Sequence, residues 1–308
     1  MSKKDESSMR SKIKNNQALL FAFWAILGWS TVASAFKLTL SQLEQATQPM
    51  LFYSALFSTL ALGSVMLVRR KTTHSPSISF SHIKRSALMG FLNPFIYYLV
   101  LFKAYSLLPG QEAQPLNYTW PLTLTLLSAL FLKEPMRPIQ LLPLLISFAG
   151  VLVIATRGNV FSLTFSNLPG ALLALGSSLI WASYWIINMR ALNDAVTRMF
   201  LNFLFGFCYI GILNLATGVS FRISIEALAG TAWIGLFEMG LTFVFWMKAL
   251  ELATSSSRVS NLVYLTPFIS LFFLRFLVGE SILVSSVSGL SLIVFGILIQ
   301  LRLQPAKQ

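Results

Sequence analysis

The sequence is poor in the residues that most enzymes use for catalysis. It has one cysteine, Cys208, and two histidines, His74 and His82, which we expect in one polar loop. Its only aspartates are Asp5 and Asp194. One cysteine excludes a disulfide framework and a cysteine-based metal site, and we expect Cys208 to be a small buried apolar residue. No HExxH, P-loop or GxSxG motif is present. We therefore expect a protein that is not an enzyme and needs neither a metal nor another cofactor.

Charge is scarce as well. Charged residues make up 11% of the chain, against about 25% in a typical soluble domain, while 56% of residues are hydrophobic. An apolar stretch of about 20 residues is long enough to cross a bilayer. The sequence predicts an all-α polytopic membrane protein with ten such spans, at 17–37, 49–68, 85–107, 112–132, 138–156, 168–188, 198–217, 228–250, 257–278 and 282–301.

The net charge of +13 reflects basic residues placed unevenly between the spans. If the N-terminus is cytoplasmic, the outer segments hold only Lys37, Arg157 and Arg222, and the other loops and tails hold far more Lys and Arg. Cytoplasmic loops of membrane proteins carry this excess. We expect both termini in the cytoplasm and a lipid bilayer, with no nucleic acid, as the partner. The basic start followed by the apolar run from Ala18 resembles a signal peptide, but the run is too long, so we expect it to remain as the first span.

The two halves of the chain share residues at a nearly constant offset. Gly90 pairs with Gly235, Tyr118 with Tyr264, Pro121 with Pro267, Glu134 with Glu280 and Gly150 with Gly296. Each half has five spans, so the second half enters the membrane from the opposite side, as in many secondary transporters. The predicted organisation is a cytoplasmic tail at 1–16, inverted five-helix repeats at 17–156 and 157–302, and a cytoplasmic tail at 303–308.

Polar residues and a proline interrupt the matching spans four and nine. In span four, Gln114, Asn117, Tyr118, Pro121, Thr125 and Ser128 fall on one helical stripe, and span nine has Ser257, Ser260, Asn261, Tyr264 and Pro267. Such residues either join neighbouring helices by hydrogen bonds or line a cavity. Proline leaves a backbone carbonyl unpaired, which lipid does not tolerate. We favour a cavity wall because both halves carry the feature.

Aromatic residues and one carboxylate inside the spans form a second group. Trp120, Trp181, Tyr184 and Trp185 suit either a ligand site or ordinary helix packing. Glu238 lies halfway along span eight, where a carboxylate is costly and is by default a functional candidate. It is expected to couple protons or to bind a substrate amine. The alternative is a structural ion pair with Lys103 or Arg275.

Segments at the ends of the two halves resemble a known superfamily. They read FKAYSLLPGQEAQPLNYTWPLTLTLLSALFLKEP at 102–135 and MKALELATSSSRVSNLVYLTPFISLFFLRFLVGE at 247–280. They are similar to the ten-span, EamA-type members of the drug/metabolite transporter superfamily. LGWST (27–31), NYTWP (117–121) and IWASYW (180–185) resemble the branch of bacterial aromatic amino-acid exporters.

The resemblance implies a central cavity between inverted halves, and export across the bacterial inner membrane. It places Trp29, Asn117, Tyr118, Trp120, Trp181 and Tyr184 at or near that cavity, and the repeat adds Asn261 and Tyr264. Glu238 matches no residue of the family pattern.

The predicted function is secondary transport: export of aromatic or other neutral amino acids, or similar small metabolites, by alternating access. Proton coupling is left open, and so is the choice between a monomer and a homodimer. One alternative is a permease of the same superfamily for a drug, a sugar phosphate or a sulfur metabolite. Another is a membrane sensor or scaffold that transports nothing.

Overall fold

A computed structural model describes residues 3–72, 79–131, 138–162, 164–188, 194–253, 259 and 261–303. In these ranges the chain is helical and contains no strand. The helices are α1 Lys3–Gln42, α2 Thr47–Thr72, α3 Phe80–Gly90, α4 Tyr97–Leu107, α5 Gly110–Asn117, α6 Trp120–Phe131, α7 Leu141–Ala155, α8 Leu168–Asn188, α9 Ala195–Thr217, α10 Ile225–Phe237, α11 Leu241–Leu252, α12 Thr266–Phe273 and α13 Val284–Leu303.

Eight helical stretches within these ranges are long and apolar enough to cross a membrane: Lys14–Gln42, Thr47–Arg69, Phe80–Leu107, Pro138–Ala155, Leu168–Ile187, Ala195–Thr217, Ile225–Leu252 and Val284–Leu303. A shorter apolar stretch covers Leu262–Val278. The predicted all-α polytopic membrane class is confirmed. Ten spans remain a prediction, because the chain predicted to form spans four and nine is divided into shorter helices.

Both proline-bearing segments break near their tyrosines. α5 ends at Asn117 and α6 begins at Trp120, so Pro121 lies in the first turn of a new helix. Pro267 likewise lies in the first turn of α12, directly after the 3₁₀ turn Leu262–Leu265. The first turn of a helix has no use for the backbone N–H that proline lacks. The prolines therefore start helices instead of kinking continuous ones.

Two further breaks were not predicted. Between α3 and α4 the chain forms a π-helical turn at Phe91–Ile96, in which Asn93 is non-helical with φ −144° and ψ 118°. Between α10 and α11 the chain turns through 238–240. The sequence pairs these places, since Asn93 and Glu238 are the same distance apart along the chain as the matched Gly90 and Gly235.

The packing of the helices brings the two halves of the chain together. α1 packs against α10, α11 and α12, and α8 packs against α4, α5 and α6. α2 contacts α9 and α10, α9 contacts α3, and α7 pairs extensively with α13. Helices from both halves therefore surround the centre of the bundle.

Small residues allow some of these helices to approach closely. A Cβ atom added to Gly90 of α3 would overlap the backbone oxygen of Asn202 on α9. One added to Gly235 of α10 would overlap the backbone oxygen of Ser54 on α2. Helices in membranes often associate through such close backbone contacts. The matched glycines therefore have the same role in the two halves, which is to allow close contact with a neighbouring helix.

Two local expectations were wrong. Cys208, expected to be a buried apolar residue, is exposed on α9. His82 does not lie in a loop but in the first turn of α3, where its Nδ1 accepts a hydrogen bond from the backbone N–H of Ser79. In addition, α1 begins at Lys3, so the helix continues through the segment expected to be a tail.

Candidate functional site

A cavity lies among the helices from both halves, with a volume of about 550 Å³ that includes the space at its mouth. Its lining comes from α1, α4, α5, α6, α8, α11 and the turn after α10. The lining residues are Trp29, Val32, Phe36, Tyr97, Leu101, Tyr105, Gln114, Asn117, Tyr118, Trp120, Trp181, Glu238 and Phe243.

The carboxyl group of Glu238 reaches this cavity from the turn between α10 and α11. The hydroxyl of Tyr98 donates a hydrogen bond to its Oε1 over 3.1 Å. In the part of the chain that the structure describes, no Lys or Arg forms an ion pair with Glu238. Lys103 and Arg275 are both exposed. The structure thus does not form the structural ion pair that was the alternative explanation for this residue.

Hydrogen bonds tie the break in span four to α8. Asn117 is 9% exposed. Its Nδ2 donates to Oγ of Ser177 over 2.8 Å, and its Oδ1 accepts from the Tyr97 hydroxyl over 3.4 Å. Thr119 donates to Ser178 over 3.2 Å. The stripe thus lines the cavity and also joins two helices, which combines the two roles weighed from the sequence.

Aromatic rings form a continuous wall beside these polar groups. Trp181 contacts Tyr97 and Phe243 at centroid distances of 4.9 and 6.0 Å, and Phe243 contacts Trp29 at 5.3 Å. Behind Trp181, Tyr184 stacks on its ring at 5.7 Å. The wall joins α1, α4, α8 and α11, so a ligand lying against it would contact both halves of the chain.

The structure brings together five of the predicted binding residues and Glu238. Trp29, Asn117, Tyr118, Trp120, Trp181 and Glu238 all line the cavity. The other three predicted residues are not part of its lining. Tyr184 is buried and accepts a hydrogen bond from Asn202 over 3.1 Å, Asn261 is exposed, and Tyr264 is 9% exposed within the apolar core. Ser257 and Ser260 lie outside the described residues.

Sequence reasoning named none of the cavity residues on α4, although the resemblance implied that span three lines the cavity. Tyr97, Leu101 and Tyr105 line the cavity, and Tyr98 binds Glu238. The first three are spaced by four, so they fall on one helical face. That spacing, directly after the Asn93–Pro94 interruption, was the available signal. Phe243 had no such signal, because one Phe among 26 does not stand out in this sequence.

A cluster of contacts between the halves lies next to the cavity. Both oxygens of the Glu280 carboxylate accept backbone N–H groups of the first turn of α5, from Gly110 over 2.7 Å and from Gln111 over 3.1 Å. The amide of Gln111 binds the backbone of Ser281 and Leu283. Gly110 is one turn from Gln114 of the lining, so this cluster lies directly beyond the cavity.

A second contact strengthens the same end. Lys37, next to Phe36 of the lining, donates from Nζ to the carbonyl oxygens of Tyr105 and Leu108, each over 3.0 Å. The rings of Phe36 and Tyr105 meet at 4.9 Å. These hydrogen bonds therefore hold together α1, α4, α5 and the chain that directly follows the segment at 262–278.

Comparison with protein families gives two matches along the chain. The EamA-like transporter family matches residues 16–156 and again residues 168–302. This chain belongs to the EamA-like transporter family. It is therefore a membrane transporter by family and not an enzyme, and the resemblance seen in its motifs to the drug/metabolite transporter superfamily is confirmed.

Similar proteins within the family come from several bacteria. The chain is 27% identical over 246 residues to the aromatic amino acid exporter YddG of Ancylobacter novellus, covering 76% of this chain and 79% of that protein. It is 23% identical over 263 residues to the uncharacterized inner membrane transporter YhbE of Escherichia coli K12, covering 83% and 79%. The uncharacterized transporter YvbV of Bacillus subtilis 168 is 25% identical over 304 residues, 94% of this chain and 92% of that protein.

A solved crystal structure shares the fold of this EamA-like chain. It superposes with a TM-score of 0.62 at 23% sequence identity, covering 94% of this chain and all of that one. This likeness supports the arrangement of the helices. It carries no information about the solute.

Proposed function

We propose that this EamA-like protein is a secondary transporter that exports amino acids, aromatic or other neutral ones, or similar small metabolites by alternating access. The observation that carries the proposal is the cavity between the halves. Its aromatic wall and its few polar groups suit a solute of amino-acid size. The 27% identity to an aromatic amino acid exporter points to the same class of solute.

The pairing of the helices supports alternating access between two inverted repeats. If each half is laid over the other, α1 corresponds to α8, and α3 with α4 corresponds to α10 with α11. The contact of α1 with α11 then matches that of α8 with α4, and α2 with α10 matches α9 with α3. Such an exchange of equivalent contacts lets one half rock against the other about a central site.

We further propose that the protein lies in the bacterial inner membrane with both termini in the cytoplasm. The basic residues favour this orientation, and one relative is named as an inner membrane transporter. The end that carries Glu280 and Lys37 is then the outer one. The protein works as a monomer or a homodimer, and proton coupling through Glu238 belongs to the same proposal.

Anionic solutes are a weaker alternative. A sugar phosphate needs cationic or strongly donating groups in its site, and the lining contains no Lys or Arg among the described residues. A drug or a sulfur metabolite without a phosphate remains compatible with the aromatic wall. A non-transporting sensor or scaffold would have no need of matched breaks around a cavity.

Flux measurements test the proposal. Purified protein in proteoliposomes should exchange at least one of the twenty amino acids across the membrane faster than protein-free liposomes. Trp181→Ala should reduce that flux, whereas Trp185→Ala, on the same helix but outside the lining, should leave it close to wild type. Failure of folded protein to move any amino acid would exclude the amino-acid proposal.

A further inference from the structure

The first turn of α5 is bound to the second half of the chain by four hydrogen bonds. The Glu280 carboxylate accepts the backbone N–H groups of Gly110 over 2.7 Å and of Gln111 over 3.1 Å. The side-chain amide of Gln111 donates to the carbonyl oxygen of Ser281 over 2.9 Å and accepts from the N–H of Leu283 over 2.8 Å. The first N–H groups of a helix have no partner inside it. Glu280 supplies partners that α5 itself lacks.

The next residue of α5 binds the connection between the two family matches. The Glu112 side chain is fully buried, and its carboxylate accepts hydrogen bonds from Nε of Arg157 over 2.7 Å and from the hydroxyl of Ser166 over 2.6 Å. Arg157 and Ser166 lie between the matches at 16–156 and 168–302. α5 therefore belongs to the first half of the chain, but its start is held by the connection and by the second half.

α5 also reaches the cavity. Gln114, one turn after Gly110, lines the cavity, and so does Asn117 at the end of the helix. Asn117 donates to Ser177 of α8 over 2.8 Å. α5 has eight residues, which gives a length of about 12 Å. This single short helix joins the cluster at 280–283 to the lining, so a displacement of its start would also move the lining.

Another contact between the halves is of a different kind. α7 and α13 pack backbone against backbone: a Cβ added to Gly150 would overlap the backbone oxygen of Gly289, and one added to Gly296 would overlap that of Pro143. Such close packing is lost if the helices separate. The hydrogen bonds of Glu280, which is half-buried, exchange for bonds to water with a small net change in free energy. Of these two contacts, the one at α5 is therefore the one that can open and close again at little cost.

We propose that the start of α5 and residues 280–283 form the outer gate of the transporter, with the Glu280 carboxylate as its latch. While the gate is shut, the latch binds α5 and a solute in the cavity has no path outward. When the halves rock, Gly110 and Gln111 leave Glu280, their N–H groups bind water, and the solute is released. Each cycle of export then opens this gate once. The inference rests on the proposed alternating access and on the proposed orientation in the membrane.

Cysteine labelling in membrane vesicles tests the inference without a solute. Cys208, the single native cysteine, is exposed and is replaced by serine. Val32→Cys supplies the reporter, because Val32 lines the cavity and is 4% exposed. A membrane-impermeant maleimide added to right-side-out vesicles reaches the reporter only when the gate is open. We expect Glu280→Gln to raise the labelling rate about five-fold over this parent, the equilibrium shift that corresponds to about 1 kcal/mol.

Two further variants sharpen the measurement. Glu251→Gln is the matched control, because Glu251 is an exposed carboxylate that pairs with Lys248 of its own helix, and it should leave the labelling rate unchanged. Gln111→Leu keeps Glu280 and removes the amide bonds to residues 281 and 283. It should raise the labelling rate in the same direction as Glu280→Gln, because it weakens the same gate.

Inside-out vesicles give the opposite side of the test. There the labelling rate of Glu280→Gln should not rise above that of the parent, because the inner end is unchanged. Equal labelling of Glu280→Gln and the parent from outside overturns the inference. A rise from both sides also overturns it, since it shows a loosened bundle and not an opened gate, and so does a rise from the inner side alone. The transport proposal is judged separately, by the amino-acid fluxes.

Discussion

The segments around Tyr118 and Tyr264 match in sequence but differ in what their side chains do. Each tyrosine lies at a helix break, and each is followed three residues later by a proline in the first turn of the next helix. Yet Tyr118 lines the cavity, whereas Tyr264 is packed in the apolar core at 9% exposure. The backbone pattern is repeated, and the use of the side chains is not.

The same difference recurs at the breaks around Asn93 and Glu238. Asn93 is 3% exposed and is held in the bundle next to Pro94. Glu238, its counterpart, reaches the cavity. Under the proposed alternating access the two halves rock against each other about a central site, but the solute bound there is not symmetric. The halves can therefore keep matching backbones while their side chains diverge at the site.

The largest expected effects come from truncating the two tyrosines. Tyr264→Ala removes a buried aromatic side chain and should reduce stability by about 3 kcal/mol, as for other buried aromatics. Tyr118→Ala should reduce flux per folded protein about ten-fold, because it removes one aromatic contact with the solute. Thermal unfolding in detergent and flux in proteoliposomes measure the two quantities.

The comparison fails if the two substitutions behave alike. Equal loss of flux with unchanged stability would place Tyr264 at the solute as well. Flux should be normalised to protein that elutes as a single folded species, so that loss of stability is not mistaken for loss of binding.

Much of the fold could be predicted because lipid imposes simple rules. Runs of apolar residues give the helices, and Pro121 and Pro267 give two of the breaks. The break at Asn93 was missed although Pro94 was a signal for it, and the break at Glu238 has no proline to signal it. Asn117 and Trp181 were predicted as cavity residues because a polar or aromatic group inside a membrane span is a candidate for a functional role. Asn261 and Tyr264 were carried over from the repeat, which fixes the backbone and does not fix where each side chain points.

Glycine substitutions test the part of the comparison in which the halves agree. Gly90→Ala and Gly235→Ala each place a Cβ against the backbone of a neighbouring helix. Each should lose about 1–3 kcal/mol, as overpacked sites do, and the two losses should be similar. Thermal unfolding followed by tryptophan fluorescence measures both.

Gly176 provides the matched control for the glycines. A Cβ added there meets nothing within 4 Å, and alanine is the better helix former by about 0.5–1 kcal/mol. Gly176→Ala should thus keep or slightly raise the melting temperature. A loss equal to that of Gly235→Ala would mean that close helix approach is not the cause.

The smallest expected effect concerns Glu280, which joins the two halves next to the cavity. Its loss is compared with the loss of an exposed carboxylate. Glu280→Gln removes the charge and leaves a single oxygen for the two N–H groups of Gly110 and Gln111. Loss of such a cap costs about 1 kcal/mol. Glu251 pairs with Lys248 at the surface, its side chain 61% exposed, so Glu251→Gln should change stability by about 0.5 kcal/mol or less.

Hydrogen exchange shows whether the difference is local. In Glu280→Gln the backbone amides at the start of α5 should exchange faster than in the wild type, because their acceptor has been weakened. The same amides in Glu251→Gln should not change. If α5 stays equally protected in both variants, Glu280 does not hold α5 in place, and the contact between the halves here must come from Gln111 instead.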